Sequence, residues 1–313
     1  MQIKAPEVGI LRVKEYECGK IKGAVDQICS AVDLHVKPGS RVLLKPNLVS
    51  GRGKEHLACT HPVFIRAVTE WFLDHGAVLS IGDSPAFGSA QGVMQATGIT
   101  EALKGLPIKQ ADFTQSIKVR LSGGVAVDIA RQPLECDMLV NLPKVKAHSQ
   151  LYVTLAIKNY FGTVVGFQKP VWHLRYGNQE NRFASHIVDL LAVLPGGITL
   201  IDGITAMHET GPVAGKPYPL GLLAGSLNPV AVDTAFLQVL GLDNAKSFIW
   251  QECVARQMTG ARYDLLRFPL LDPADVQVTD FRAPEMLMSV SFNPFRMLVS
   301  GGRRLLAGIK ESS

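Results

Sequence analysis

Short apolar runs and amphipathic stretches alternate along most of this chain, with glycine, proline and aspartate between them. The run "GILRVKEY" at residues 9–16 predicts a first strand, "AVDQICSAVDLHV" at 24–36 a first helix, and "SRVLLKPN" at 40–47 a strand stopped by Pro46. The clearest helix is "THPVFIRAVTEWFLDHG" at 60–76. Its Phe64, Ala67, Val68, Trp71 and Phe72 recur at the 3.6-residue period and form one apolar stripe. Thr60 is placed to cap this helix, Pro62 falls in the first turn where a missing N–H costs nothing, and Gly76 can close it.

The alternation continues. "AVLSIGDSP" (77–85) predicts a strand, and helices follow near 89–97 and 100–105, the second capped by Thr100. "VAVDIA" (125–130) and "DMLVNLP" (137–143) predict strands, and "QLYVTLAIKNYFG" (150–162) a helix ending at Gly162. A polar and aromatic loop at 163–181 carries Trp172, His173, Arg175 and Tyr176, and it could serve as a lid. "FASHIVDLLAVL" (183–194) reads as a helix, "GITLIDG" (197–203) and "PLGLLAG" (219–225) as strands. "NPVAVDTAFLQVLG" (228–241) reads as a helix capped by Asn228, and "AKSFIWQECVARQMTG" (245–260) as another; "DVQVTD" (275–280) reads as a last strand. Strands alternating with helices predict an α/β fold: a parallel-rich sheet with helices on both faces, with two lobes around a cleft as a variant. The expected α/β domain is 1–262, its core about 40–242, followed by a C-terminal extension at 263–313.

Composition narrows the partners. Of 313 residues, 47% are hydrophobic and 19% charged, enough for a sizeable core. A net charge of +5, 7% aromatics and no Lys/Arg block argue against nucleic acid and suit a small anionic ligand. Five cysteines at 18, 29, 59, 136 and 253 include no C-x-x-C, so no in-chain iron–sulfur cluster of usual spacing is expected. Reduced thiols, no signal-peptide pattern at the N-terminus and no long apolar stretch lead to a cytoplasmic expectation. The tail "FNPFRMLVSGGRRLLAGIKESS" (292–313) mixes apolar residues with Arg296, Arg303, Arg304 and Lys310. It reads as a terminal helix packed on its own domain; contact with a membrane surface through 283–313 is the alternative.

Candidate chemistry gathers behind the strands, where open α/β sheets bind ligands. Lys45 and Asn47 follow one strand, Asp83 and Ser84 another, and Lys144, Lys146 and His148 a third. Asp202 follows the strand at 197, and Ser226 and Asn228 follow the last, with Asp233 one helical turn on. If the strands are parallel, these groups share one rim. Asp83 and Asp202 are equally ordinary turn residues, and His61 equally a helix-start residue. Lys144, Lys146 and His148 would share a face by alternation, and Lys158, beside Asn159, would be an amine within an apolar helix, activated by burial. Anion-clamping lysines and an acid/base histidine suit proton-transfer or redox chemistry on a small anion; a non-catalytic cofactor carrier or accessory module is the alternative.

Segments "VLLKPNLVS" (42–50), "THPVFIRAVTEWFLDHGA" (60–77), "IGDSP" (81–85), "NLPKVKAHSQLYVTLAIKNYFG" (141–162), "IDGITAMHETGP" (201–212) and "SLNPVAVDTAFLQVLG" (226–241) resemble the domain of unknown function 362 family. Its members are often described as iron–sulfur-centre proteins, and many carry a ferredoxin-type cysteine segment that this chain lacks. The resemblance therefore implies that any redox role needs a separate electron-transfer protein. A more distant likeness is to the nickel-pincer lactate racemases. His148 and Lys158 match their spacing of histidine and cofactor-attaching lysine, His173 stands for the later metal ligand, and Thr60-His61-Pro62 for the polar loop entering a helix. That likeness implies a covalent metallocofactor on Lys158. The racemases' glycine-rich run before the lysine is "YVTLAI" here, and their "GTH" is "GDS".

Overall fold

The stretch at 41–46 forms β2 (Arg41–Pro46), an interior strand of the main sheet. Val42, Leu43 and Leu44 are fully buried, the pattern of a strand covered on both faces. Val42 and Leu44 face a core shared with α1 (Cys18–Ala31) and α2 (Pro62–Asp74), whereas Leu43 packs with Tyr160 on the other face. The computed structural model describes residues 4–51, 57–165, 169, 171–172, 176 and 182–287.

On one side of β2 lie β3 (Val78–Ile81) and then β4 (Ile108–Gln110), both parallel to it, with helices α3 (Ala90–Ala96) and α4 (Ile99–Ala102) between them in the chain. On its other side lie β7 (Met138–Leu142) and β10 (Thr199–His208), also parallel. The chain thus winds outward in one direction from β2 and later in the other. The direction reverses between β2 and β7, and such a reversal opens a crevice at the strands' carboxyl ends.

Beyond β10 the sheet turns antiparallel, and the short β11 (Lys216–Tyr218) pairs with the end of β10. β12 (Leu222–Ser226) runs against β10, and β1 (Gly9–Arg12) against β12. Ser226 therefore pairs with Thr199, at the start of β10. This corrects the single-rim expectation for the last strand: Ser226 and Asn228 lie at the opposite rim. Burial on both faces signals a central strand without revealing its direction. Asn228 does cap the following helix, α8 (Pro229–Val239), accepting from Val230 N at 2.9 Å and Ala231 N at 3.1 Å.

The stretch at 144–162 also departs from expectation. It forms β8 (Lys144–His148), a tight turn, β9 (Tyr152–Thr154), the single-turn α6 (Ala156–Asn159) and a 3₁₀ turn (Tyr160–Thr163). Leu151, Val153, Leu155 and Ile157 alternate with period two, while Tyr152, Leu155, Ala156 and Tyr160 fit a helical face; the β-branched and aromatic residues favour the strand. β8 pairs antiparallel with β9 and parallel with the second half of β10, so β10 is flanked first by β7 and then, past Pro143, by β8. Thr60 is not the cap of α2. His61 is, its Nδ1 accepting from Val63 N at 3.3 Å. At 275–280 a 3₁₀ turn (Pro273–Val276) stands in place of the expected strand.

A hairpin of β5 (Ser116–Arg120) and β6 (Ala126–Ala130) forms a small separate sheet, followed by the short helix α5 (Arg131–Glu135). Its Val127 and Ile129 share a core with Phe161, Trp172, Phe183 and Ile187 of α7 (Arg182–Asp189). Trp172 and Tyr176, expected in a lid, are buried in this core; His173 and Arg175 lie outside the described residues. Residues 288–313, which include the basic-apolar tail, also lie outside them. No helix among the described residues is long and apolar enough to cross a membrane.

Candidate functional site

Lys45, Lys144, Lys146 and Lys158 come together at the β2–β7 crevice, with exposures of 0, 2, 2 and 9%. Lysine is almost never so buried without a partner, and here the partners differ.

Lys45 ends β2, and its Nζ lies 2.8 Å from Asp83 Oδ1. Asp83 Oδ2 accepts from Leu48 N at 2.8 Å, so Asp83 is an ion-pair residue rather than a turn-maker. Burial pulls the Lys45 amine below its ordinary pKa, with Asp83 opposing. Gly162 presses on this pair: a Cβ there would overlap both Asp83 Oδ1 and Lys45 Nζ. Ser84 joins through its backbone, its N donating to Gly162 O at 3.1 Å and its O accepting from Lys169 Nζ.

Lys144 starts β8 and donates to Asp202 Oδ2 at 2.8 Å and to Tyr16 OH at 2.7 Å. Tyr16 OH donates to Asp202 Oδ1 at 2.8 Å, and His61 N to Asp202 Oδ2 at 3.0 Å. The Tyr16 and His61 rings stack at 3.5 Å. Burial raises the Tyr16 phenol, with Asp202 adding, and pulls the Lys144 amine down, with Asp202 opposing. Burial also lowers His61 to about 4, against Asp202 and with Lys144.

Lys146 has only neutral acceptors among the described residues: Asn47 Oδ1, and Ala58 O at 2.8 Å. Burial lowers its pKa to about 7; Cys59 and Asp83 oppose this, and Lys144 and Lys45 add to it. Amide side chains link this lysine to the sheet. Asn47 Nδ2 donates to Asn159 Oδ1 at 2.6 Å, Asn159 Nδ2 to Asn141 Oδ1 at 2.8 Å, and Asn141 Nδ2 to Ala156 O at 3.0 Å. Thr154 is paired across the hairpin from Lys146, and its buried Oγ1 has no hydrogen-bond partner among the described residues.

Lys158 is different again. Its Nζ lies 4.0 Å from the centroid of Phe161 and 4.9 Å from that of Phe183, and no described oxygen accepts from it. Burial lowers its pKa well below the ordinary value, and repulsion from Lys169, Lys146 and Lys45 adds to the effect. Contact with aromatic faces favours the ammonium by about 0.5–2 kcal/mol. Burying an unpaired charge is unfavourable by several kcal/mol, so the neutral amine wins.

His148 shares the face of β8 that carries Lys144 and Lys146. Its Nδ1 accepts from Gln150 N at 3.1 Å and Leu151 N at 3.2 Å, which places the proton of the neutral ring on Nε2. Asp233 does not join the lysines. It reaches α6 from α8, accepting from Ala156 N at 2.7 Å and from Ile157 N at 3.4 Å. Burial lifts its carboxyl to about 8 against these two donors. It holds the turn that carries Lys158.

Tyr16 and Gly162 escaped the sequence reading as site residues, and so did Asn141, although an amide inside the apolar run "MLVNL" was a visible signal. Tyr16 follows an edge strand and meets Asp202 from 186 positions away, a closeness no local pattern encodes. Of the racemase-like ligand set, Lys158 offers a buried amine and His173 lies outside the described residues. Among the described residues no three His, Cys, Asp or Glu side chains converge to hold a metal ion. The five thiols are dispersed, and burial raises Cys29 and Cys253 to about 12.

Two solved structures are similar to this fold. The lactate racemase apoprotein of Thermoanaerobacterium thermosaccharolyticum gives a TM-score of 0.47 at 10% identity, over 75% of this chain and 57% of that one. A Thermotoga maritima protein gives 0.44 at 12% identity, over 79% and 61%. The chain thus spans less than two thirds of either, and neither likeness bears on activity. A thylakoid-associated protein of Synechocystis sp. is 34% identical over 306 residues, covering 94% of this chain and 92% of the relative. The family model described as "Domain of unknown function (DUF362)" matches residues 42–238, the segment that holds nearly the whole lysine cluster and its partners. The chain belongs to that family.

Proposed function

We propose that this protein is an enzyme that binds a small anionic substrate or cofactor at the β2–β7 crevice and carries out proton-transfer or redox chemistry on it. One observation carries the reading: among the described residues the crevice holds more buried amines than carboxylates. Lys45 and Lys144 are matched by Asp83 and Asp202. Lys146 and Lys158 have no carboxylate partner among the described residues, and the Thr154 hydroxyl near Lys146 has no hydrogen-bond partner among them. Unsatisfied buried polar groups are expensive, and an entering carboxylate or phosphate would supply acceptors for all three. The same anion would draw protons onto Lys146 and Lys158, so binding should be tighter below neutral pH than above it. His148, with its proton on Nε2, is the acid/base in this reading.

Thermal denaturation of the full chain with oxalate, citrate or inorganic phosphate tests the proposal. At least one should raise the melting temperature, and Lys146→Met or Lys158→Met should weaken that response about ten-fold, the value of one charge-assisted contact. No response to any anion, or equal responses in the variants, would overturn it.

A second reading, as an accessory module of a redox complex, draws support from the relative named for its association with thylakoids. Residues 283–313 would then contact a membrane surface or an electron-transfer partner. Flotation with anionic vesicles, lost on removing 288–313, would favour this reading.

A further inference from the structure

The anion-binding reading counts Lys158 among the groups that a bound anion would satisfy, but its surroundings suit a nucleophile better than a permanently charged clamp. A clamp works by charge, and this amine is held where charge is disfavoured. Phe161 and Phe183 flank it, Lys146 and Lys45 repel a proton from it, and no described oxygen stabilises its ammonium. An amine next to other cations in an apolar pocket is the arrangement that frees a lysine lone pair at neutral pH.

Three further features bear on it. α6 is held at its start by Asp233 and through Ala156 O by Asn141, so the lysine is carried on a fixed turn. Lys146, whose pKa is close to neutrality, can both give and take a proton. Thr154 Oγ1, across the hairpin from Lys146, can hydrogen-bond to an oxygen close to that amine.

We propose that Lys158 condenses with the carbonyl group of a small 2-oxo acid to form an imine, the acid's carboxylate being held by Lys146 and Thr154. This rests on the anion-binding reading and names its substrate class. The Lys158 nitrogen attacks the carbonyl carbon, forming the C–N bond of a carbinolamine. The carbonyl oxygen leaves as water, carrying both amine protons in net balance, and a C=N bond remains. Lys146 protonates the departing hydroxyl and recovers the proton from the nitrogen. No oxidant, reductant or co-reactant is needed. The aromatic walls exclude water and so favour the dehydrated imine. A protonated imine draws electrons from the adjacent carbon, so the expected consequence is proton exchange at the carbon next to the former carbonyl, or loss of the carboxylate as carbon dioxide.

The test incubates the full-length protein with pyruvate or glyoxylate and cyanoborohydride at neutral pH, followed by intact mass measurement and peptide mapping. One reduced adduct on Lys158 is expected, at least about ten-fold more abundant than on any surface lysine, since a neutral amine is scarce at the ordinary lysine pKa. Lys158→Met should lose it and keep its fold, since it removes a buried amine without adding a charge. Oxamate, which has the shape and carboxylate but no reactive ketone, is measured alongside by thermal denaturation. If oxamate stabilises the protein and no adduct forms on Lys158, the imine proposal falls and the anion site stands. If oxamate does nothing and no adduct forms, both fall. Labelling spread evenly over surface lysines also overturns the imine.

Discussion

Lys144 and Lys158 are both buried lysines a short distance apart in one chain, yet their surroundings are opposite. Around Lys144, Asp202 and Tyr16 supply oxygens at 2.8 and 2.7 Å, and Asp202 is further bonded by Tyr16 OH and His61 N. Around Lys158 there are two phenyl rings and other lysines. The first network is closed: each member has its partners, and it joins β8, β10, the segment after β1 and the start of α2. The second is open. A closed ionic network fixes architecture, whereas a buried group with an unmet valence points to something arriving from outside.

That contrast can be broken most directly by stability measurements. Asp202→Ala should destabilise the fold by about 3–5 kcal/mol, because it leaves Lys144 buried and unpaired. Lys158→Met should change stability by less than about 1 kcal/mol or raise it, because it removes a buried amine with no partner to lose. Urea unfolding of the two variants compares them. Equal losses would mean that Lys158 belongs to the scaffold after all.

A middle case is Gly162→Ala. The new methyl group would meet the Lys45–Asp83 pair, and overpacking of this kind destabilises by about 1–3 kcal/mol. Urea unfolding should show the loss, and the mixed variant Gly162→Ala with Asp83→Asn should not add a full second increment, since both act on one pair.

The smallest effects are pH slopes. Lys146 titrates at about 7 in the fold against 10.5 in the unfolded chain. Between those values the unfolded chain carries the extra proton, so this residue makes stability rise with pH, by at most about 1.4 kcal/mol per unit. Asp233 titrates at about 8 against 3.8. There the folded chain carries the extra proton, so its contribution is full below about 4 and lost as pH rises through 8. Lys146→Met should flatten the first slope and Asp233→Asn the second, and unfolding free energies measured across pH 4–10 separate them.

Much of this was legible from residue patterns. The strands around Val42, Val78 and Met138, the apolar stripe of α2 and the Asn228 cap follow from period, burial and capping chemistry that act locally. The convergence of Lys45, Lys144 and Lys146 followed from the rule that polar residues behind parallel strands share a rim, whereas Lys158 was expected within an apolar helix and reaches them on the single turn α6. Three things were not legible. The 150–162 stretch satisfies two periods at once, and pairing with β8 decided between them. Strand direction at β12 leaves no mark in a run buried on both faces. Asp233 lies one turn into a helix that starts at the far rim, so its approach to α6 from behind depends on that direction.

The antiparallel edge also sets where this protein can be cut. β1 completes the sheet beyond β12, α1 covers α2, and Tyr16 closes the Lys144–Asp202 network from outside the stretch that matches the family model. A recombinant fragment trimmed to residues 42–238 would expose an unpaired sheet edge and a bare helix face, inviting self-association. Boundaries for expression or crystallisation therefore belong ahead of Gly9 and beyond Val278, whose N–H donates to Val239 O at 2.8 Å, whatever the family alignment suggests.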